Sequence, residues 1–424
     1  MKLKTIQTIL IFYLLFFLTN CSADSSPIET EVPAIDETYL YKISQVSIAT
    51  DNNVPITSKE DYVKCSVSVE SGHSEWNYQG KGKIRGRGNS TWLWYPKKPY
   101  RIKLDQKTEI LGLAEEKDWV LLADYRDPTH LMNTLVFAIG EGLGLPYTNQ
   151  VRYVEVTLNN QYLGMYILTE QVEQGDNRVA ISETEGALIS LDADDGPELN
   201  PMGGDNFWST VYRMPVCVKS PDEADITQLR AIQDDLAKLE KSIQEADYET
   251  VAKQMNIKSF IDYMLIQELV YNVEVAAPRS INMHKDKGGL WTMGPLWDFD
   301  AGFDFDWGTM YTGHNYFANY KELVLGTNPS SHVGGYIIPS FFTDLFKSKR
   351  FVSEYKARWK EVKIDIMSKY WKKANMYVVG CAEAYERNLN TWPIDKSYKT
   401  EISRMKNWLT NRINYLDTVI QNYP

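Results

Sequence analysis

Hydrophobic and polar positions divide the chain into a strand-patterned first half and a helix-patterned second half. From about residue 40 to 125, short alternating segments are broken by Gly, Asn and Pro, which is typical of β-strands and their turns. Three further strands are predicted, over residues 151–158, 162–168 and 187–191. Asn159-Asn160-Gln161 predicts a hairpin turn between the first two of them. One helix interrupts this pattern, over residues 128–143, where leucines and an isoleucine recur at helical spacing.

The second half of the chain has mostly the helical period. Six helices are predicted, over residues 225–245, 257–271, 338–347, 352–373, 375–389 and 399–420. The last of them has an apolar stripe that is typical of a core-facing helix, formed by Ile402, Met405, Leu409, Ile413 and Leu416. Strands followed by helices predict an α+β protein in which a β-rich half, about residues 39–220, faces a helix-rich half, about residues 221–424, across a cleft.

The N-terminus has the pattern of an export signal. Lys2 and Lys4 precede an apolar run, Ile9–Leu18, which is short for a membrane-spanning helix. Cys21 follows at the position where bacterial lipoproteins are acylated, so we expect a signal peptide over residues 1–21 and lipidation of Cys21. Ordinary signal cleavage nearby is the alternative. The polar segment that follows, residues 22–38, predicts a flexible tether, and hence an exported protein held on a membrane by its lipid.

Composition excludes several classes of protein. The chain has 45 basic and 56 acidic residues, a net charge of −11, which argues against binding to nucleic acid. Beyond Cys21 there are three cysteines, Cys65, Cys217 and Cys381, without CxxC spacing, so at most one disulfide and no cysteine-based zinc site are expected. The five histidines form no HExxH motif.

A basic segment stands out against this acidic background. Between residues 81 and 103 there are eight Lys and Arg residues and no Asp or Glu. Four of them, Lys81, Lys83, Arg85 and Arg87, alternate with other residues, so on a strand they share one face. Two neighbouring strands with cationic faces suit the phosphates of a nucleotide. The alternative is a solvated face, or pairing of these cations with the surplus carboxylates.

An acidic segment over residues 293–306 is the second candidate for chemistry. Asp298 and Asp300 are two residues apart among large apolar neighbours, after a predicted strand over 280–285. Packing can therefore fix both carboxylates, and Mg²⁺ binds oxygen ligands of this kind, which it often shares with substrate phosphates. The alternative is an acidic turn that is held by aromatic packing.

Five motifs, in this order, resemble the CotH family of atypical protein kinases of the spore-coat type. They are GRGNSTW, PKKPYRIKL, WVLLADYRDPTHLMN, VEVTLNNQYLGMYILTEQV and GPLWDFDAGF, and the resemblance covers about residues 45–307. It implies a divergent kinase-like, two-lobed α+β fold. It also implies the use of ATP with Mg²⁺ or Mn²⁺ to phosphorylate Ser or Thr of an acceptor protein outside the cytoplasm. Members in Gram-negative bacteria look like surface lipoproteins, which implies the outer membrane or cell surface here.

The resemblance assigns nucleotide-binding roles within the β-rich half. Lys103 is the phosphate-contacting lysine, and Arg85 and Arg87 support it. Glu170, in the LTEQV segment, orients that lysine or holds a second metal ion. The alternative for Glu170 is a hydrogen bond into the turn at Arg178.

The catalytic and metal-binding roles fall in the other half. Asp298 takes the metal-binding role, with Asp300 beside it. The family's catalytic Asn-x-Asp stands here as Asn272-Val273-Glu274, so Glu274 becomes the base that orients the acceptor hydroxyl. The metal-binding asparagine expected five residues later is Arg279, and the nearest asparagine downstream is Asn282; another alignment places Ser280 there.

Two functions follow from this pattern. The first is a surface-anchored Ser/Thr kinase that binds ATP and a protein acceptor. The second is a non-catalytic pseudokinase, or a surface lipoprotein that binds a glycan or partner through an aromatic surface, formed by Trp92, Trp94, Trp291, Trp297 and Trp307.

Overall fold

The computed structural model describes residues 37–194, 202–276, 278–303, 320–325, 340–394 and 397–424. The predicted signal peptide, Cys21 and the predicted tether up to residue 36 lie outside these ranges, as does Trp307. No helix within them has the length and apolar character needed to cross a bilayer.

Seven strands of the first half form a closed barrel in the order β1-β2-β3-β4-β5-β7-β6. The strands are β1 Ser44–Thr50, β2 Val63–Glu70, β3 Tyr78–Gly86, β4 Tyr100–Ile110, β5 Leu113–Leu122, β6 Val151–Leu158 and β7 Gln161–Glu170. Neighbours pair antiparallel except β1 and β6, whose parallel pairing closes the barrel. Alternate residues of β1 are buried, as the period of two predicts, because one face of each strand fills the interior.

The predicted hairpin turn between β6 and β7 is formed by two asparagines. Asn159 and Asn160 have φ values of 50° and 64°, the left-handed region that a two-residue hairpin turn requires and that asparagine tolerates better than most residues. The side-chain oxygen of Asn159 also accepts a hydrogen bond of 2.8 Å from the backbone N–H of Thr50. The turn is thereby tied to the strand that closes the barrel.

A second, five-stranded sheet lies outside the barrel, in the order β12-β11-β8-β10-β9. Its strands are β8 Ala187–Leu191, β9 Asn206–Trp208, β10 Pro215–Ser220, β11 Ile281–Lys285 and β12 Thr292–Met293. β8 pairs antiparallel with both β10 and β11. The sheet therefore contains strands from both sides of the boundary predicted near residue 220, because β11 returns to the β-rich half.

The observed helices match the predicted ones except near residues 370 and 381, and two short helices, Ser90–Trp94 and Tyr248–Val251, were not predicted. They are α1 Ser90–Trp94, α2 Met132–Leu143, α3 Ile226–Gln244, α4 Tyr248–Val251, α5 Ile257–Val270, α6 Ser340–Asp344, α7 Lys349–Asp365, α8 Trp371–Gly380, α9 Ala382–Thr391 and α10 Tyr398–Gln421. A π-helical turn, Ile366–Tyr370, joins α7 to α8, and the chain breaks again between α8 and α9. At that break Gly380 approaches the carbonyl of Tyr41 so closely that a Cβ atom would collide with it.

A buried ion pair joins the central helix α5 to α10. Arg412 and Glu268 are fully buried, with 2.6 Å between the guanidinium and the carboxylate. Glu268 also accepts hydrogen bonds from the backbone N–H groups of Val324 and Leu325. The apolar stripe of α10 packs into the core beside this pair, as predicted, with Leu409 and others buried.

The α+β prediction is confirmed in its coarse form. The first half is β-rich and the C-terminal part is helical, but the strands close into a barrel. All three cysteines of the described part, Cys65, Cys217 and Cys381, are free.

Candidate active site

A cleft lies between the end of the barrel and the second sheet. The barrel contributes the loop Arg87–Thr91 after β3 and the residues Leu122–Asp124 at the end of β5. The second sheet contributes polar residues of β8, β10 and β11, and the segment after β12 contributes Trp297, Asp298 and Asp300.

Three carboxylates and one arginine form the floor of this cleft. Arg126 makes a two-pronged ion pair with Asp300, in which Nε lies 3.1 Å from Oδ2, and its guanidinium lies 4.0 Å from Glu274. Burial, reinforced by Asp298, raises the pKa of Glu274 well above its usual value, and Arg126 opposes that rise. Burial and the neighbouring Asp300 raise the pKa of Asp298 to about 7. A cation that entered the cluster would therefore displace protons from it.

Backbone contacts fix these carboxylates in place. The side-chain oxygen of Asn272 accepts a hydrogen bond of 3.3 Å from the N–H of Glu274, and its amide donates to the carbonyl of Asp298 at 3.4 Å. From α2, Asn133 accepts a bond of 2.9 Å from the N–H of Phe299. Asp298 itself has a φ of 64°, and Ser280 on the opposite wall has one of 53°. Strained backbone of this kind concentrates at functional sites.

Several buried oxygens of the cleft have no hydrogen-bond partner among the described residues. They are Glu274 Oε2, Asn282 Oδ1 and Ser190 Oγ. A buried polar atom without a partner costs free energy, so these oxygens indicate a ligand that completes the site.

The oxygen atoms suit a hard divalent cation. Within the described ranges, no three His, Cys, Asp or Glu side chains form a metal site by themselves. Asp298 and Asn282 line the same cleft, however, and Mg²⁺ is commonly held by one or two carboxylates with the rest of its ligands from water and substrate phosphates. The residues present therefore fit a metal that arrives with a phosphorylated substrate.

Cationic side chains line the cleft beside the carboxylates. Arg87 lies 5.1 Å from the centre of the Trp297 ring, and Arg279 is paired with Asp194 at 2.9 Å. Lys219 of β10 also lines the cleft, and no carboxylate of the described part forms an ion pair with it. Arg87 and Lys219 are thus placed to contact an anionic ligand.

The other predicted nucleotide-binding residues do not line the cleft. Arg85 donates hydrogen bonds to the backbone carbonyls of Lys59 and Gly86, and Lys103 lies 3.2 Å from a carboxylate oxygen of Asp118. Both belong to the outer wall of the barrel. Of the four residues that the resemblance assigned to the nucleotide, the structure brings only Arg87 to the cleft.

Glu170, the fourth of those residues, is buried at the end of β7. Its carboxylate accepts a hydrogen bond of 2.8 Å from the backbone N–H of Gln150 and contacts the Thr169 hydroxyl at 3.1 Å. Burial raises its pKa. The structure therefore brings together neither Glu170 and Lys103 nor Glu170 and the carboxylates of the cleft floor.

A buried lysine behind the cleft was missed by the sequence analysis. Lys97 is buried, and its amine donates to the carbonyl of Met165 and to the side chain of Asn388. Burial lowers its pKa to about 7, while Asp124 favours the charged form. Burial correspondingly raises the pKa of Asp124 to about 7, and Asp124 lines the cleft. The positive charge of the Lys97 amine therefore favours the ionised form of a carboxylate that lines the cleft.

The cleft residues that the sequence analysis missed differ in how clearly the sequence marks them. Asp124 and Arg126 lie in the quoted motif WVLLADYRDPTHLMN, so their motif was visible although their role was not. Lys219 and Ser190 lie in ordinary strand sequence, and no local signal marks them. Among the aromatic residues predicted to form a binding surface, Trp291 is buried in the core, whereas Trp297 lines the cleft.

Comparison with known proteins agrees with the motifs. The family model described as CotH kinase protein matches residues 84–416, which is most of the chain. No curated protein matches the chain. The predicted resemblance is confirmed, and the chain belongs to the CotH kinase family.

Proposed function

We propose that this member of the CotH kinase family transfers the γ-phosphate of ATP to Ser or Thr hydroxyls of a protein outside the cytoplasm. One observation carries the proposal: a single cleft contains Glu274, Asn282 and Asp298 together with the cations Arg87 and Lys219. Phosphoryl transfer requires mainly this combination of charge stabilisation and positioning.

Each side of the cleft has a role in this proposal. Arg87 and Lys219 contact the phosphates of ATP, and Asp298 and Asn282 hold Mg²⁺ or Mn²⁺. A bound metal ion neutralises negative charge on the phosphates. Arg126 keeps Asp300 in place and limits the repulsion between the carboxylates of the floor. The outer-wall cations Arg85 and Lys103 have no direct part in the reaction.

The transfer step uses Glu274 as the base. A bond forms between the acceptor oxygen and the γ-phosphorus, the bond to the β-phosphate oxygen breaks, and ADP leaves. The hydroxyl proton passes to the carboxylate of Glu274. Burial raises the pKa of this carboxyl. The reaction therefore requires a positive charge in the bound substrate complex, because such a charge favours the ionised form of Glu274.

The cellular setting is part of the proposal. Cys21 carries lipid and anchors an exported protein at the outer membrane or cell surface, with residues 22–38 as the tether. The barrel corresponds to one lobe of a kinase-like fold, and the second sheet with the helical part corresponds to the other. The cleft at the end of the barrel supports this arrangement.

Nucleotide binding tests the proposal directly. The purified chain is heated with ATP and Mg²⁺ or Mn²⁺, and the shift of its melting temperature is compared with that of the Asp298→Asn variant. We expect a metal-dependent shift in the wild type and none in Asp298→Asn. The control Asp234→Asn, an exposed carboxylate on α3, is expected to behave as the wild type. No shift in the wild type, or equal losses in both variants, would contradict the proposal.

A non-catalytic pseudokinase is the second candidate. Asp300 is already paired with Arg126. Glu274 stands where the family has an aspartate, and its longer side chain moves the carboxylate by about one methylene. Small displacements of this kind reduce rates strongly. Glu274→Asp distinguishes the two functions: a changed transfer of labelled phosphate indicates a working site, whereas nucleotide binding without transfer in wild type and variant indicates a pseudokinase.

A further inference from the structure

The outer wall of the barrel has a row of lysines directly opposite one another. Lys64 of β2 is paired with Lys83 of β3, and Lys83 is paired with Lys103 of β4. Neighbouring strands lie about 4.8 Å apart, so the Cα atoms of the three lysines lie within roughly 10 Å of one another. Like charges in directly opposite positions destabilise a sheet. The row therefore has a cost that the fold itself does not explain.

Positively charged side chains continue along β3 toward the cleft. Lys81 and Lys83 are exposed and Arg85 is half-buried on the outward face, while the intervening Gly82 and Ile84 are buried. Arg87 follows at the cleft. At about 3.3 Å per residue, this cationic track extends roughly 20 Å from Lys81 to the mouth of the site.

Within the described ranges, the ion pairs of this wall lie at one edge of the track. Asp118 is shared between Arg101, at 2.6 Å, and Lys103, at 3.2 Å. Across the described ranges no carboxylate forms an ion pair with Lys64, Lys81 or Lys83. The Lys83 amine lies 4.6 Å from the centre of the Tyr62 ring.

We propose that this cationic track, which runs from Lys81 to Arg87 with Lys64 beside it, docks an acidic segment of the acceptor polypeptide and leads it to the cleft. In an extended peptide, every second side chain points the same way, about 6.6 Å apart, which is the spacing of Lys81 and Lys83 along β3. The assignment of this peptide as the acceptor rests on the proposed kinase function, but the anion-binding surface does not.

Charge favours a narrow polypeptide over a broad anionic surface. Glu60 and Asp61 are exposed just before β2, and Glu70 is exposed at its end. A membrane or a long nucleic acid would lie against these carboxylates as well as against the lysines, and the whole chain has a net charge of −11. An extended peptide is narrow enough to contact the lysines without lying against these carboxylates.

The test measures binding of a fluorescent twelve-residue peptide of alternating Glu and Asp around one Ser to the full chain. We expect Lys81→Gln/Lys83→Gln to weaken this binding about five- to tenfold at low salt, the scale of two exposed ion pairs, with a smaller difference at high salt. The control Lys253→Gln/Lys406→Gln removes the same charge from two exposed sites elsewhere and should leave binding unchanged.

Nucleotide binding separates this proposal from the kinase proposal. The Lys81→Gln/Lys83→Gln variant should keep the ATP-dependent thermal shift of the wild type, and in a transfer assay its KM for the acidic peptide should rise while kcat stays the same. If the wild type shows no ATP-dependent shift but peptide binding still depends on the two lysines, the kinase function fails and the docking surface stands. Equal weakening in the control, or preferential binding of phosphatidylglycerol vesicles or an oligonucleotide at the same lysines, overturns the docking proposal.

Discussion

Replacing Arg126 by methionine removes the cation that is buried between Asp300 and Glu274 at the cleft floor. Arg126 is only 1% exposed and holds Asp300 through two contacts, with Glu274 4.0 Å away. Methionine has a similar length and no charge. Removal of one partner from a buried ion pair costs about 3–5 kcal/mol, because the other charge stays buried without compensation. We expect Arg126→Met to lower the free energy of unfolding by that amount at pH 8.

The loss should depend on pH in a definite direction. Glu274 and Asp298 already have raised pKa values in the folded protein, and without Arg126 these rise further. A carboxyl with a raised folded pKa costs no stability below its unfolded pKa of about 4, and its full cost appears above the folded pKa. The difference between wild type and variant should therefore be small near pH 4–5 and reach its maximum above pH 7.

Urea denaturation at pH 5 and pH 8 measures this effect, with Arg387→Met as the matched control. Arg387 also makes a two-pronged pair, with Glu155 at 2.7 and 2.8 Å, but its side chain is 44% exposed. Its loss should cost about 1 kcal/mol or less. Mn²⁺ should stabilise Arg126→Met more than wild type. Equal losses in both variants, or a loss at pH 5 as large as at pH 8, would refute the electrostatic reasoning.

Three further predictions concern catalysis, anchoring and the core. Glu274→Gln should retain ATP binding and reduce phosphate transfer about a hundredfold. The wild-type rate should rise with pH because the pKa of Glu274 is raised, and a flat pH profile would contradict the role of Glu274 as base. Cys21→Ser should move the protein from the membrane fraction to the soluble fraction, and a variant that stays with the membrane would exclude lipidation there. Arg412→Met should cost about 3–5 kcal/mol in urea denaturation because Glu268 loses its buried partner, and a loss below 1 kcal/mol would show that the pair is not needed.

Local pattern was sufficient for most elements of the fold. The period of two marked the strands, and the helical period marked α2, α3, α5 and α10 to within a few residues. Both periods arise from the backbone geometry of one segment and need no knowledge of its neighbours. Family membership followed in the same way, from five short motifs in the correct order.

The break between α8 and α9 shows the limit of prediction from local pattern. Apolar residues keep the helical spacing through this region, so a helix over 375–389 was a reasonable prediction. The chain instead breaks at Cys381, next to Gly380, which contacts the backbone of Tyr41. That contact joins residues far apart in the sequence, and nothing in the local pattern records it.

The basic segment shows the same limit at the site itself. Alternation correctly placed Lys81, Lys83 and Arg85 on one face of β3. It could not decide whether that face meets the cleft, since this depends on how seven strands close around a core. The structure turns the face outward and leaves only Arg87, beyond the end of the strand, at the cleft.

The floor of the cleft depended entirely on tertiary structure. Arg126 and Asp300 are 174 positions apart, and the pair forms because α2 and the segment after β12 pack against each other. The sequence by itself determined which residue types were present and how each short segment folds. Only the tertiary structure decided which charges meet, because ion pairing in a buried site depends on distances that long-range packing sets.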